Sequence, residues 1–460
     1  MSSNYVKILT TLLGIATCWN SISQNSNVNT AIIVDTPICD MPPSEINNKF
    51  YVPRQEFVKQ RMNDDSSRNS CSTFIVNYSG FPLGSPERDA FQFAIDIWES
   101  LLDSDVPIRV NAAFNPPSDP EDNDTNLGSA SPAFYMEVPG LTNPNASVLY
   151  PGALFEKLTG QDSDGPTGES IDITCRFNSL KSNWYFGTDG NTPQNQLDFV
   201  SVVLHELGHG LGVAGFGIEF PANSGTGNIR RDASGFSVSE SSNHVSVWDT
   251  YIEAQAPGFP ITKELVIDES EFADPSVVMF NAFRGGSNST LSCNSPLAVL
   301  ANGGNEPRTY APATFRPGSS YSHWDEAEFN NTPNALMTPF LNAAEAVHDP
   351  GNITLGFMED MGWSLCQGSL STNNFVLENI KISPNPFTES ITISLPLEVA
   401  NQQFDVTIVD INGRIVSRSS EATNGKIVVK NLENLKSALY FLTIKSKTSD
   451  LSITKKIIKQ

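Results

Sequence analysis

Residues 199–215 read Phe-Val-Ser-Val-Val-Leu-His-Glu-Leu-Gly-His-Gly-Leu-Gly-Val-Ala-Gly. The apolar run Phe199–Leu204, continued at Leu207, is spaced for a helix with a buried face, and Thr192-Pro193 suits its N-terminus. On that helix His205 and His209 stand four residues apart, one turn from each other on the same face, so both imidazoles can reach one metal ion. Glu206 follows the first histidine and is placed to act as general base toward a water beside that metal. Zinc is the expected ion, because imidazole suits it and a three-ligand tetrahedral site leaves a fourth position open. A third protein ligand is then required. The chain has only five histidines, which leaves His244, His323 and His348, with Glu253 as a carboxylate alternative. His348, in His-Asp-Pro-Gly, reads as a structural turn residue, and His244 as the reserve ligand.

Outward from this helix the pattern is α+β. Ser72–Tyr78 alternates as a strand, and Ser85-Pro86-Glu87 opens a helix with a capping residue and an early acid. The apolar positions of that helix are Phe91, Phe93, Ala94, Ile97, Trp98, Leu101 and Leu102. Ile108–Phe114 and Ser170–Phe177 read as further strands. The acidic loop at 116–126 fits no EF-hand spacing and reads as solvated. From Phe216 to Tyr321 the chain is rich in Ser, Gly and Asn, with few ordered-looking pieces such as Val245–Ile252.

The chain has 460 residues, 28 Lys+Arg against 51 Asp+Glu and a net charge of -23, with 39% hydrophobic and 17% charged residues. That length implies more than one domain, and the composition is that of a folded protein rather than a disordered acidic tail. An acidic surface is a poor partner for phosphates, which argues against nucleic acid as a partner. Residues 371–460 carry 11 Lys+Arg and 8 Asp+Glu, a net of +3, so the rest of the chain holds -26. This break marks the last ninety residues as a separate module.

At the N-terminus, a lysine followed by the apolar run Ile8–Trp19 and a small-residue Ser21-Ile22-Ser23 reads as a secretory signal peptide, residues 1–23. No stretch reaches the roughly 18 apolar residues of a membrane helix. Of the six cysteines, Cys18 leaves with the signal peptide. The remaining five are scattered, and disulfides are the default in an exported chain, with at least one thiol left over.

The segment His-Glu-x-x-His-x-x-Gly, ending at Gly212, resembles the start of the metzincin zinc signature. In that signature the third ligand follows three residues after the glycine, but here the position is Gly215, which cannot ligate. The pairing of Ser322-His323-Trp324-Asp325 with a downstream Leu336-Met337-Thr338-Pro339 resembles the leishmanolysin family, metzincins in which a long insertion precedes the third histidine. The resemblance implies that His323 completes the ligand set with His205 and His209, and that Met337 is the Met-turn residue beneath the metal. It implies a zinc metalloendopeptidase acting on protein or peptide substrates, with Glu206 as the catalytic base. Metzincin zymogens block their zinc with a propeptide cysteine or aspartate, a role Cys39 could fill. A cell-surface binding or adhesion protein on a degenerate protease scaffold is the alternative.

The C-terminal module has apolar alternation at Ile391–Leu395, Phe404–Val409, Ile427–Val429 and Leu439–Ile444, separated by turn signals, as in a small β-sandwich. Ser383-Pro384-Asn385-Pro386-Phe387, the Asp410–Arg414 turn and the basic end Lys455–Lys459 resemble the C-terminal sorting domain of the type IX secretion system in Bacteroidota. That implies the secretion machinery as a partner and a secreted or outer-surface location. The expected organisation is a signal peptide at 1–23 and an N-terminal segment, a candidate propeptide, at 24–71. A metzincin-like α+β zinc peptidase domain follows at 72–366, and a small immunoglobulin-like β-sandwich at 375–460.

Overall fold

The computed structural model describes residues 39–63, 71–117, 126–163, 171–232, 243–255, 262–366, 380–395, 403–410, 414–422, 425–447 and 452–460. The expected signal peptide and most of the acidic loop lie outside these residues. Two short strands, β1 (Cys39–Asp40) and β2 (Pro43–Val52), are followed by helix α1 (Glu56–Asn63), strand β3 (Phe74–Ser79) and helix α2 (Pro86–Leu101). Then come β4 (Ile108–Asn115), β5 (Gly128–Pro132), β6 (Ser147–Pro151), α3 (Gly152–Thr159), β7 (Ile173–Asn178) and α4 (Phe199–Gly210). Further on are β8 (His244–Ser246), β9 (Leu341–Val347) and α5 (Asn352–Met361).

The central sheet has the order β1-β5-β7-β4-β3. β3, β4 and β7 run parallel, β5 runs antiparallel to β7, and β1 closes the outer edge antiparallel to β5 with Cys39 opposite Ala130. α2 forms where its sequence predicts: Pro86 occupies the first turn with Glu87 and Asp89, and Ala90, Phe91, Ala94, Ile97, Trp98 and Leu101 are buried. Ser85 precedes it, but its side chain makes no capping bond. α2 meets α4 through the Trp98 indole, which donates to the Leu204 carbonyl at 3.2 Å.

α4 starts later than Thr192-Pro193. Leu197–Asp198 first pairs in parallel with Trp184–Tyr185, which holds those residues extended. Asp198 then caps the helix, accepting from the Ser201 amide at 2.8 Å and the Ser201 hydroxyl at 2.6 Å, while Thr192 donates to its other oxygen. Phe199, the first helical residue, sits in an aromatic nest of Phe114, Phe177, Trp184 and Phe186 with ring centroids 5.1–5.7 Å away. Every residue of α4 is buried, so the helix that carries His205 and His209 runs through the core rather than along the surface.

Part of the expected N-terminal segment is built into this same core: Met41, Val52 and Val58 are buried there, and β2 pairs in parallel with β9. A disulfide between Cys71 and Cys366 joins residues 295 apart. Cys175 and Cys293 are buried free thiols. The described parts of 216–321 hold more regular structure than the composition suggests, with a strand Ile252–Gln255 paired to Lys263–Leu265 and to Ser292–Cys293.

The described residues of the C-terminal region form a sandwich of strands, β10 (Lys381–Ser383), β11 (Ile391–Ser394), β12 (Gln403–Asp410), β13 (Ile415–Ala422), β14 (Lys426–Val429), β15 (Leu439–Ser446) and β16 (Ser452–Ile458). Its sheets have the orders β10-β11-β14 and β13-β12-β15-β16. Ile391, Ile393, Ile427 and Val429 of one sheet share a core with Phe404, Val406, Ile408, Leu442 and Ile444 of the other. The basic end is a paired strand, with Ile457 opposite Tyr440. The described residues are thus mixed α/β, with more strands than helices, and none of their helices is long and apolar enough to cross a membrane.

Candidate metal centre

His205, His209 and His323 come together although 114 residues separate the last two. Their Nε2 atoms lie 2.9 Å (205 to 209), 3.1 Å (209 to 323) and 3.2 Å (205 to 323) apart, and all three side chains are fully buried. Among the described residues this is the group of His, Cys, Asp and Glu side chains arranged to hold an ion.

Each Nδ1 faces a backbone carbonyl: His205 at Leu336 O (2.6 Å), His209 at Val213 O (2.8 Å) and His323 at Ser319 O (2.7 Å). A carbonyl can only accept, so each Nδ1 carries the hydrogen and each Nε2 presents a lone pair. Burial holds His205 and His323 well below the usual imidazole range, with the neighbouring imidazoles adding to the effect, and burial pushes His209 down to about 4. The rings are therefore neutral near pH 7, and three lone pairs converge without a proton between them. That arrangement is repulsive until a cation sits among them. A tetrahedral zinc ion about 2.0–2.1 Å from each nitrogen spaces its ligands by roughly 3.3 Å, close to the separations found here.

Local sequence explains the placement. Gly212 adopts φ +114°, a region L-residues rarely enter, and the turn it makes brings the Val213 carbonyl back onto His209. Met337 is fully buried, and its sulfur lies 2.7 Å from where a side chain on Gly208 would begin, directly beneath the turn of α4 between the two histidines. The same segment supplies the Leu336 carbonyl, and the Met337 carbonyl accepts from the Trp324 amide at 2.9 Å, tying it to the residue after His323.

Glu206 is fully buried on α4 between His205 and His209 in sequence. Its Cγ lies 3.2 Å from where a side chain on Gly128 would begin, and its charge, after burial, helps to raise the Cys175 thiol. It therefore faces β5 and β7. The outer edge of β5 carries β1, so the backbone of Cys39–Asp40 runs beside the strand that covers Glu206. The side chain of Cys39 lies outside what is described.

The other candidates are elsewhere. His244 stands in β8, with Nε2 3.5 Å from Glu137 and Nδ1 3.3 Å from the Arg231 carbonyl. His348 is buried and meets the capping carboxylate of Asp198 at 2.9 Å, a structural role. Glu253 belongs to a group with Asn294 and Lys263. Sequence reading missed the three carbonyls that orient the imidazoles. Leu336 could have been found as the neighbour of Met337; Val213 and Ser319 carry no signal, because any residue supplies a carbonyl.

A family model described as SPBPB7E8-like matches residues 69–217, a span that includes α4 but ends before His323; that description states no activity. No curated protein matches the chain. Among solved structures, PorZ, a surface component of the type IX secretion system of Porphyromonas gingivalis, is 21% identical over 22% of this chain, with a TM-score of 0.17. The chain spans 14% of the length of PorZ. A DUF3244 family protein with an immunoglobulin-like β-sandwich fold from Bacteroides vulgatus is 17% identical over 18% of this chain and 83% of its own, with a TM-score of 0.15. A model of the secretion system C-terminal sorting domain matches residues 381–460. The last strands of this chain are therefore a type IX sorting domain, which sends the protein through that machinery to the outer surface.

Proposed function

We propose that the region closed by the Cys71–Cys366 disulfide is a zinc-dependent endopeptidase of metzincin type, exported to act on proteins or peptides outside the cell. The observation that carries this reading is the set of three buried Nε2 lone pairs converging within 2.9–3.2 Å, each fixed by a carbonyl behind it. The resemblance of the two histidine motifs to the leishmanolysin family, and the position of Met337 under α4, support it.

His205, His209 and His323 would hold the ion. When bound, zinc supplies a Lewis acid and lowers the pKa of an adjacent water toward neutrality. Glu206, held rigidly in the core, takes a proton from the water that attacks the peptide carbonyl and returns it to the leaving amine nitrogen. The three carbonyls keep the imidazoles in the tautomer that leaves Nε2 free to ligate.

Glu206→Gln keeps the shape of the side chain and removes its basicity. Peptide hydrolysis by that variant should fall by about 10²-fold or more, with bound zinc still about one per chain. Undiminished hydrolysis would overturn the mechanism, and zinc binding without hydrolysis in the wild type would favour a surface-binding protein on a protease scaffold.

A further inference from the structure

We propose that Asp249, deep in the insertion between the second and third candidate ligands, is a positioning residue for the metal centre. Its carboxylate ties the chain leaving His209 to the chain arriving at His323 through the Tyr321 hydroxyl. The inference rests on the metal-centre reading above.

The centre has a geometric problem to solve. Two ligands share one helix, but the third arrives on a loop, and a shift of that loop by a fraction of an ångström spoils the site. Asp249 lies in the short 3-10 turn Trp248–Tyr251 and is fully buried. Its Oδ1 accepts from the Phe216 amide at 3.1 Å and from the Tyr321 hydroxyl at 2.7 Å. Its Oδ2 accepts from the Ser246 amide at 2.7 Å and the Ser246 hydroxyl at 2.9 Å. With four donors on two oxygens, the carboxylate is fixed in orientation. Phe216 follows His209 by seven residues, and Tyr321 precedes His323 by two. One oxygen atom therefore joins both approaches to the metal.

Tyr321 shows the same purpose in its backbone. It has φ +78°, an uncommon conformation for a bulky residue and one that persists only where the surroundings impose it. Its amide donates to the Tyr310 carbonyl and the Tyr310 amide to the His323 carbonyl, both at 2.8 Å, which places the His323 backbone in register with the same turn. The Tyr321 ring is fully buried against Gly215 and Gly217. Gly215 is the position where a closely spaced third ligand would stand. Here the space for any side chain is taken by Trp248, Tyr321 and Asp249, and the Gly215 amide donates instead to Ser322 Oγ at 3.1 Å. The insertion thus supplies, from its own residues, the link that a short spacer would provide covalently.

The test uses the full chain with Tyr321→Phe, which removes only the hydroxyl, and Asp249→Asn, which keeps the shape and removes the charge. Zinc affinity is read by competition with a chelating indicator, ligand geometry by the visible spectrum of the cobalt-substituted protein, and folding by thermal melting in chelator. Tyr321→Phe should remain folded, bind zinc about ten-fold or more weakly and shift the cobalt bands; a folded Asp249→Asn should do at least as much. Wild-type zinc affinity and an unchanged cobalt spectrum in Tyr321→Phe, with only the melting temperature lowered, would reduce the pair to core packing and overturn the proposal. A wild-type chain that binds no zinc would remove the metal-centre reading itself, an outcome distinct from tight binding that the variants leave unaltered.

Discussion

His323 decides whether the other two histidines form a site or merely a helix face. Removing its ring would leave two candidate ligands on α4, too few to hold zinc tightly. His323→Ala should lower zinc affinity by more than about 100-fold, measured by equilibrium dialysis; full occupancy in that variant would move the third ligand elsewhere. The His-Glu-x-x-His stretch was readable because helical periodicity fixes the direction of its side chains. His323 was readable only through its neighbours, since nothing in the spacing of a 114-residue gap says where the chain returns. The converging Nε2 atoms and their carbonyl partners needed the fold, because a backbone acceptor leaves no trace in residue identity.

α4 depends on its cap more than its apolar run suggests. Asp198 satisfies two donors at Ser201 and pairs with buried His348. Asp198→Ala removes the cap and strands the imidazole, at a cost of roughly 2 kcal/mol or more. Chemical denaturation should show that loss; a change under about 0.5 kcal/mol would mean that the aromatic nest around Phe199 alone sets the helix start. The helix was expected to begin at Thr192-Pro193 because local signals favour it there, but pairing of Leu197–Asp198 with a preceding strand overrides them.

Helix α3 carries a second test. Burial, with the Asp172 charge adding to it, raises Glu156 to about 8, and burial raises Asp172 to about 6. Both groups hold protons in the folded state above their unfolded pKa. Their contribution to stability is therefore complete below about pH 4 and is lost as pH rises through about 6 to 8. Glu156→Gln should flatten the fall in melting temperature over that window, and an unchanged slope would contradict the assignment.

For the whole molecule, the Cys71–Cys366 disulfide ties two distant parts of the mixed α/β region together, and the sorting domain occupies residues 381–460. Cys71→Ser with Cys366→Ser should cost about 2–5 kcal/mol, read as a lower denaturation midpoint; an unchanged midpoint would mean that packing alone closes the domain. The charge break at residue 370 and the alternating strands made the sandwich legible. β13, which reads Ile-Val-Ser-Arg-Ser-Ser-Glu-Ala, was not, because a mostly polar strand of this kind lacks strict alternation. The β2–β9 pairing was also hidden, being a parallel contact between segments nearly 300 residues apart.

The central claim, zinc-dependent peptide hydrolysis, is tested most directly by stripping the exported protein with a chelator and titrating zinc back while following cleavage of a peptide library. Hydrolysis should vanish on stripping and return in proportion to added zinc, levelling at about one ion per chain. Cleavage that survives metal removal, or no cleavage at saturating zinc, would contradict it.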